Sequence, residues 1–193
     1  KQIPFSDLKV FQTIFKSIPD QLQLQLANSS TIRYAQLFDL PKTVSVFCNR
    51  GTSGIDGSSS TAVGAAFVSH VPTLLITGDL SFFYDSNAFW NAYLKKNFRI
   101  IIINNQGGGI FRILPGQKDT PTYDEYYETV HKRNAKDLCK SLGVGYSSVS
   151  SEWRLKRKLK SFFNPKNYPQ VLEIFTPRKS NDQILLNYFR AMQ

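Results

Sequence analysis

Residues 76–111 read ITGDLSFFYDSNAFWNAYLKKNFRIIIINNQGGGIF, and this stretch predicts one β-α-β unit. A hydrophobic strand at 73–77 runs into Gly78 and Asp79, a helix follows, and a second strand at 99–103 leads into Asn104, Asn105 and three glycines. The isoleucines at 100–103 are typical of a central parallel strand that is buried on both faces. Because open α/β folds bind ligands where the carboxyl ends of parallel strands meet, we expect one site at these two strand ends.

The polar groups at the two strand ends suit a metal ion. Asp79 supplies a carboxylate, Asn105 an amide oxygen, and Gly107 a backbone carbonyl. A few hard oxygen ligands favour Mg²⁺, or Mn²⁺ in its place, with its other positions kept for water and phosphate. Taken singly, Asp79 is also typical of a helix cap and Asn105 of a turn, without any role in metal binding. Their spacing and the glycine-rich turn, which lets a diphosphate approach the backbone, favour a metal-diphosphate site.

The rest of the chain alternates strands and helices. Strands are predicted at 21–27, 44–48, 146–149 and 170–175, and helices at 7–18, 62–69, 135–142, 152–163 and 181–190, with a further helix after residue 30. This order predicts a three-layer, doubly wound, largely parallel six-stranded sheet in a single domain, residues 1–193. The helix between the third and fourth strands is expected to carry residues 89–94. Residues 111–134 are too long for a plain connection, which indicates a functional loop or lid.

Composition narrows the class of protein. The 193 residues are 41% hydrophobic and 20% charged, as in a globular domain. The sequence contains no apolar run of membrane-spanning length, and residues 1–7 lack the apolar core of a secretory signal. Cys48 and Cys139 are interpreted as reduced packing residues, so we expect a cytoplasmic protein.

The net charge of +10 raises the question of nucleic acid. The densest basic run, residues 154–160, shares its helix with an apolar stripe, so we interpret it as a solvated helix face and expect no nucleic-acid partner. A non-enzymatic basic α/β module for nucleotides or nucleic acid stays open as an alternative. Binding to DNA or RNA that falls steeply with salt would distinguish it.

These motifs resemble those of thiamine diphosphate (ThDP) enzymes. The resemblance rests on Gly78-Asp79, on Asn104-Asn105 downstream, and on the block NRGTSGIDG at residues 49–57. It is closer still to the branch of the family that serves menaquinone biosynthesis, and it covers roughly residues 5–175. The resemblance implies a ThDP-binding fold in which residues 1–193 form the C-terminal diphosphate-binding domain. The pyrimidine-binding and middle domains would then lie outside this chain.

The resemblance also implies the cofactor contacts. Ile55 matches a hydrophobic wedge that supports the bent cofactor, and Gly54 offers backbone to its aminopyrimidine. Ile110 and Phe111 form a nonpolar wall. Ser81, Gly108 and Gly109 offer hydroxyl or N–H groups to phosphate, and the remaining cofactor-binding positions are Gly78 and Leu80.

Ser29, Arg33 and Arg50 match substrate-contacting positions of the menaquinone branch. Arginine suits bidentate recognition of carboxylates, and the two substrates of that branch, 2-oxoglutarate and isochorismate, each carry two. The implied reaction is decarboxylation of 2-oxoglutarate and addition of the succinyl unit to isochorismate. The alternative within the family is another 2-oxoacid decarboxylase or carboligase, similar to acetolactate synthase, although an enzyme acting on pyruvate has little use for these arginines.

No residue of this chain is predicted to be the catalytic acid or base. His70 and His131 lack a supporting constellation and are interpreted as structural or solvent-facing. The resemblance implies that an activating glutamate comes from the N-terminal domain of a partner subunit in a homo-oligomer. We therefore expect this domain to be inactive by itself.

Overall fold

The structure is a computed structural model that describes residues 3–116, 118 and 120–192. Its strands are β1 Gln23–Leu26, β2 Ser45–Cys48, β3 Thr73–Gly78, β4 Phe98–Asn104, β5 Gly145–Val149 and β6 Gln170–Phe175. Its helices are α1 Asp7–Phe15, α2 Ser30–Ala35, α3 Ser58–Val68, α4 Asp79–Tyr84, α5 Lys136–Ser141, α6 Glu152–Phe162 and α7 Asn181–Arg190. Short 3₁₀ turns lie at Ser86–Phe89 and Gly109–Arg112, and a π-helical turn at Tyr123–Tyr127.

The strands pair into one sheet in the order β2-β1-β3-β4-β6-β5. Every described pairing is parallel, which confirms the predicted doubly wound α/β fold. The chain moves from β1 outward to β2, then returns to place β3 on the other side of β1. The carboxyl ends of β1, β3 and β4 therefore lie side by side next to this change of direction, where open parallel sheets bind ligands.

Hydrophobic cores cover both faces of the sheet. Ile101 and Ile103 face the core formed with α1, α2, α6 and α7, whereas Ile100 and Ile102 face the core formed with α3, α4 and α5. All four isoleucines are at most 4% exposed. The alternation along β4 is that of a strand sandwiched between two helical layers, as the isoleucine run predicts.

The connection from β3 to β4 differs from the prediction. Helix α4 ends at Tyr84, and residues 90–94 are not helical. Asp85 accounts for the early end, because its carboxylate accepts hydrogen bonds from the N–H and hydroxyl of Ser60 at 2.7 and 2.6 Å and thereby holds the chain against the start of α3. Phe89 still reaches the core, whereas Trp90 and Tyr93 are exposed.

Three further predictions concern the start of α1, the cysteines and the membrane. Ser6 caps α1, since its Oγ accepts from the N–H of Lys9 at 3.3 Å. Cys48 and Cys139 are both free thiols. Among the described residues, none of the helices combines the length and apolar character that crossing a membrane requires.

Candidate cofactor and metal site

A cavity of about 480 Å³ opens at the carboxyl ends of β1, β3 and β4. It gathers fourteen of the fifteen residues that sequence analysis assigns to a site: Ser29, Arg33, Arg50, Ile55, Gly78, Asp79, Leu80, Ser81, Asn105, Gly107, Gly108, Gly109, Ile110 and Phe111. Gly54 is not part of the lining. Its carbonyl accepts from the side-chain amide of Asn28 at 2.6 Å.

Asp79 lies at the base of the cavity, where it joins the ends of β3 and β4. It is 2% exposed. Its Oδ1 accepts from the N–H of Leu80 at 2.7 Å, and its Oδ2 accepts from the N–H of Gly107 at 3.1 Å. The carboxylate is thus held in place by the backbone on both sides, and each oxygen keeps a further lone pair for a ligand.

Asn105 lines the same cavity as Asp79, and only one end of its side-chain amide has a hydrogen-bond partner. Its Nδ2 donates to Oδ2 of Asp7 at 2.9 Å. Its Oδ1 is buried and has no hydrogen-bond partner among the described residues. Buried polar oxygens are normally paired, so an orphaned amide oxygen in a cavity wall fits a site for a cation. The residues present therefore suit a metal ion.

Other described groups do not offer a competing metal site. No group of three or more His, Cys, Asp or Glu side chains in the described part of the chain could hold a metal. An ion at Asp79 would use the amide oxygen of Asn105, backbone carbonyl and phosphate or water oxygens. Among the described residues, the carbonyl of Gly107 accepts one backbone hydrogen bond, from the N–H of Gly109 at 3.0 Å, and a carbonyl has two lone pairs.

The predicted phosphate donors line the cavity but are bonded within the chain. The Ser81 hydroxyl donates to the carbonyl of Ile55 at 2.6 Å, and the N–H of Gly108 donates to the carbonyl of Glu128 at 2.6 Å. The N–H of Gly109 donates to Gly107. A phosphate held by these groups would share or replace these bonds, so their role toward phosphate stays a prediction.

Unusual backbone conformations cluster at this site. Gln106 and Gly107 have φ values of 68° and 155°, and Ser29 on the other side of the cavity has φ 65°. A Cβ on Gly107 would lie 2.5 Å from the carbonyl oxygen of Glu128, so only glycine fits there. Positive φ at Ser29 and Gln106 is strain that surrounding contacts must hold, and such strain concentrates at functional sites.

Arg33 and Arg50 lie exposed at the open side of the cavity. Arg33 donates to the carbonyl of Ser29 at 2.9 Å, and Arg50 donates to Oδ1 of Asn28 at 3.2 Å. Each guanidinium has five N–H groups, so each keeps donors for an anionic ligand. Asn28, which sequence analysis did not single out, holds the loop after β2 against the end of β1.

Two buried residues at the site were not assigned to it from the sequence. Asp7 is 2% exposed and lines the cavity, and burial raises its pKa to about 6. His131 is 7% exposed, and its Nε2 lies 3.2 Å from Oδ2 of Asp79 without hydrogen-bond geometry. Of the two alternatives predicted for the histidines, structural or solvent-facing, the buried His131 fits the first and the exposed His70 fits the second. Both misses arise from contacts that are distant in the sequence.

An ion-pair cluster, formed by Arg112, Asp124, Glu128 and Arg178, supports the glycine turn from behind. Glu128 is fully buried, and both of its carboxylate oxygens accept from Arg112, at 2.9 and 2.5 Å. Arg178 donates to the same carboxylate at 3.1 Å. The segment 111–134 is thus packed against the glycine turn, and its residues Phe111 and Leu114 line the cavity. Residues 117 and 119 of it lie outside the described residues. Its role as a lid stays a prediction.

A comparison with protein-family models matches residues 28–174 to the C-terminal TPP binding domain of thiamine pyrophosphate enzymes. The chain belongs to this family. Thiamine pyrophosphate is the same compound as ThDP, so the domain type at hand is one that binds ThDP. The cavity at the ends of β3 and β4 lies within the matched range, whereas Asp7 lies outside it.

Three curated proteins that are similar to this chain share one name. The 2-succinyl-5-enolpyruvyl-6-hydroxy-3-cyclohexene-1-carboxylate synthase of Christiangramia forsetii is 55% identical over 100% of this chain and 33% of its own length. The protein of that name from Flavobacterium psychrophilum is 56% identical over 98% of this chain and 34% of its own length. The one from Bacteroides fragilis is 41% identical over 100% and 35%. This chain thus spans about a third of the length of these relatives.

Proposed function

We propose that this chain is the diphosphate- and metal-binding domain of a 2-succinyl-5-enolpyruvyl-6-hydroxy-3-cyclohexene-1-carboxylate synthase of menaquinone biosynthesis. Such an enzyme decarboxylates 2-oxoglutarate and adds the succinyl unit to isochorismate. The observation that carries the proposal is that one cavity has Asp79 and Asn105 at its base and Arg33 and Arg50 at its mouth. The name shared by relatives that align with essentially the whole chain supports it.

At the base of the cavity, Asp79, Asn105 and Gly107 would hold Mg²⁺ or Mn²⁺ through one oxygen each. These residues would leave coordination positions for phosphate oxygens and water, since Mg²⁺ sites commonly combine one or two protein ligands with such oxygens. ThDP, when bound, supplies the electron sink that decarboxylation of a 2-oxoacid requires. The chain's own contribution is to fix the diphosphate end and to neutralise its charge.

The middle of the cavity is apolar. Ile55 is half-buried and lines the cavity, and the Ser81 hydroxyl donates to its carbonyl, which holds this stretch of backbone in place. We propose that its side chain supports the cofactor. Ile110 and Phe111 form the opposite wall, with the Phe111 ring edge-on to Tyr127 at a centroid distance of 5.9 Å. Leu114, which sequence analysis did not name, extends this wall. These side chains would exclude water from the reacting end of the cofactor.

At the mouth, Arg33, Arg50 and Ser29 would bind the substrates. Guanidinium groups pair with carboxylates through two parallel hydrogen bonds, and both proposed substrates are dicarboxylates. The anchoring of Arg33 on Ser29 and of Arg50 on Asn28 limits the range of orientations that the guanidiniums adopt. An enzyme for a monocarboxylate such as pyruvate would gain little from two arginines.

The remaining parts of the enzyme would lie outside this chain. We place the pyrimidine-binding and middle domains upstream, with an activating glutamate supplied by a partner subunit of a homo-oligomer in the cytoplasm. The relatives, three times the length of this chain, leave room for both domains. This chain alone would not turn over substrate.

The test is CO₂ release by the full-length synthase with Mg²⁺ and ThDP. We expect release from 2-oxoglutarate that isochorismate accelerates, and little from pyruvate. Arg33→Met and Arg50→Met should raise the KM for the dicarboxylates by about tenfold or more, as loss of charge-assisted hydrogen bonds predicts. Arg154→Met, on the exposed face of α6, is the matched control. Preferential turnover of pyruvate would favour the acetolactate synthase-like alternative and overturn the substrate assignment.

A further inference from the structure

We infer that Asp7 is a positioning residue that orients the Asn105 amide so that its oxygen points to the metal position. The inference deepens the proposed function, on which it rests, by explaining what makes Asn105 a metal ligand. Asp7 belongs to α1, 98 residues before Asn105, and lies outside the range that matches the family model.

The contact between the two side chains is direct. Nδ2 of Asn105 donates to Oδ2 of Asp7 at 2.9 Å, in a buried position. The other end of the same amide, Oδ1, is buried and has no hydrogen-bond partner among the described residues, and Asn105 is part of the cavity lining. Asp7 therefore occupies the donor end of the amide and leaves the acceptor end for a cation.

The chemistry of the pair selects one orientation. The two ends of an asparagine amide have nearly the same shape, so packing alone scarcely distinguishes them. A carboxylate only accepts hydrogen bonds. If the amide turned over, Oδ1 of Asn105 would face Oδ2 of Asp7 and the NH₂ group would face the metal, which repels it. The orientation is thus fixed by charge and hydrogen bonding.

Asp7 is itself firmly held. Its Oδ1 accepts from the hydroxyl of Thr176 at 2.6 Å, and its backbone N–H donates to Oδ1 of Asn181 at 2.8 Å. The side-chain amide of Asn181 donates to the carbonyl of Pro177 at 2.7 Å. The loop after β6 thus holds the carboxylate of Asp7, and the first turn of α7 holds its backbone N–H. Such support fixes a ligand's orientation in metal sites generally.

The experiment compares metal affinity in variants of the full-length synthase. Asp7→Leu removes the acceptor at similar size, and Asp7→Asn keeps an acceptor, because its carbonyl can face Asn105 while its NH₂ donates to Thr176. Asp85→Leu is the matched control, a buried carboxylate that also accepts two hydrogen bonds but lies outside the cavity. Mn²⁺ binding in the presence of ThDP is followed by electron paramagnetic resonance, and the folded fraction by circular dichroism.

We expect Asp7→Leu to weaken Mn²⁺ binding by about tenfold or more, the usual loss when support of a metal ligand is removed. Asp7→Asn should lie closer to the wild type than to Asp7→Leu, and Asp85→Leu should bind Mn²⁺ as the wild type does. Unchanged affinity in Asp7→Leu overturns the inference. Equal loss in Asp7→Asn and Asp7→Leu also overturns it, because charge and not orientation would then matter.

Two further results keep the test decisive. If Asp7→Leu does not fold, Asp7→Ala, which adds no bulk, takes its place in the same comparison with the same expected order. If the wild type shows no ThDP-dependent Mn²⁺ binding, the proposed function fails. A wild type that binds while all variants bind equally well overturns the role of Asp7 alone.

Discussion

The backbone N–H of Gly107 donates to Oδ2 of Asp79 at 3.1 Å, which joins the loop after β4 to the residue that follows β3. These two positions are 28 residues apart in the chain. The contact sets the distance between the predicted metal ligands before any ion binds. A site held in this way loses little conformational entropy on binding, which favours affinity.

Gly78 is a position where we expect the ligand, and not the fold, to require glycine. Its φ of −81° is open to any residue, and an added Cβ would meet no described atom within 4 Å. Because Gly78 lines the cavity, Gly78→Ala should place a methyl group where the cofactor binds. We predict a melting temperature within about 2 °C of the wild type and ThDP affinity lowered by about tenfold. Calorimetric titration and thermal denaturation measure the two.

Gly64→Ala is the matched control for that variant. Gly64 lies within α3, and its added Cβ also meets no described atom within 4 Å. Alanine in a helix interior should raise the free energy of unfolding by about 0.5–1 kcal/mol, with ThDP binding unchanged. Equal ThDP binding by both alanine variants would contradict the placement of the cofactor at Gly78.

Gly107 should be required by the fold itself. In Gly107→Ala the Cβ would lie 2.5 Å from the Glu128 carbonyl oxygen at a φ of 155°. Backbone has to move, and we expect a loss of about 2–4 kcal/mol in the free energy of unfolding, measured by urea denaturation. Gly116→Ala shares the positive φ, 141°, but meets no described atom within 4 Å. A loss in Gly107→Ala no larger than in Gly116→Ala would rule out the close approach.

Within the ion-pair cluster behind the glycine turn, substitution of the buried Glu128 should cost the most stability. Glu128→Gln leaves Arg112, which is 4% exposed, without its bidentate carboxylate. Removing one partner of a buried ion pair typically costs about 3–5 kcal/mol. We predict a lower free energy of unfolding and faster proteolytic cleavage within 112–128.

Asp124→Asn tests whether burial, and not charge alone, causes that loss. The Asp124 side chain is 36% exposed and contacts the same Arg112 at 3.4 Å. Exposed ion pairs contribute about 0–1 kcal/mol, so this variant should stay close to the wild type. If the two variants lost similar stability, the buried pair would not be the element that holds the segment.

Cys139 gives a pH-dependent prediction. Burial, with the nearby Glu173 carboxylate adding to it, raises the pKa of the thiol from 9.0 to about 12. Between these values the unfolded state binds fewer protons than the folded state, so this group makes the free energy of unfolding fall as pH rises from 9 to 12. The contribution is fully present below pH 9.

Cys139→Ala removes this titration. The stability advantage of the wild type over the variant should therefore shrink by about 1.4 kcal/mol for each pH unit above pH 9. Urea denaturation at pH 8 and pH 10.5 measures it. A constant difference between the two proteins would mean that the thiol titrates alike in both states.

The sequence predicted the sheet well because its signals are local. The isoleucine run at 100–103 can bury both faces only between two helical layers, and the polar residues after β3 and β4 mark the ligand-binding edge. The helix predicted over 89–94 failed because Asp85 bonds to Ser60, a contact that no periodicity reveals. Of the aromatic residues predicted on that helix, Phe89 is buried, whereas Trp90 and Tyr93 are exposed.

In the site, too, local motifs were predicted from the sequence and long-range contacts were not. Residues in the strand-end motifs come together in one cavity, whereas Asp7 joins its lining from a segment with no motif. His131 and Glu128, also outside any motif, contact Asp79 and the glycine turn from behind. Asp7 reads as an ordinary first-turn helix residue, and only the arrangement of α1 against β4 and β6 brings it to Asn105. Long-range pairing of this kind depends on tertiary packing, which local pattern does not encode.

The most direct test of the account is a titration of the full-length synthase with ThDP at increasing Mg²⁺, in the wild type and in Asp79→Asn. The variant keeps the size of the side chain and removes its charge. We predict that Mg²⁺ raises ThDP affinity in the wild type by about tenfold or more and has little effect in the variant. Equal Mg²⁺ dependence in both proteins would contradict the assignment of the metal and diphosphate to the ends of β3 and β4.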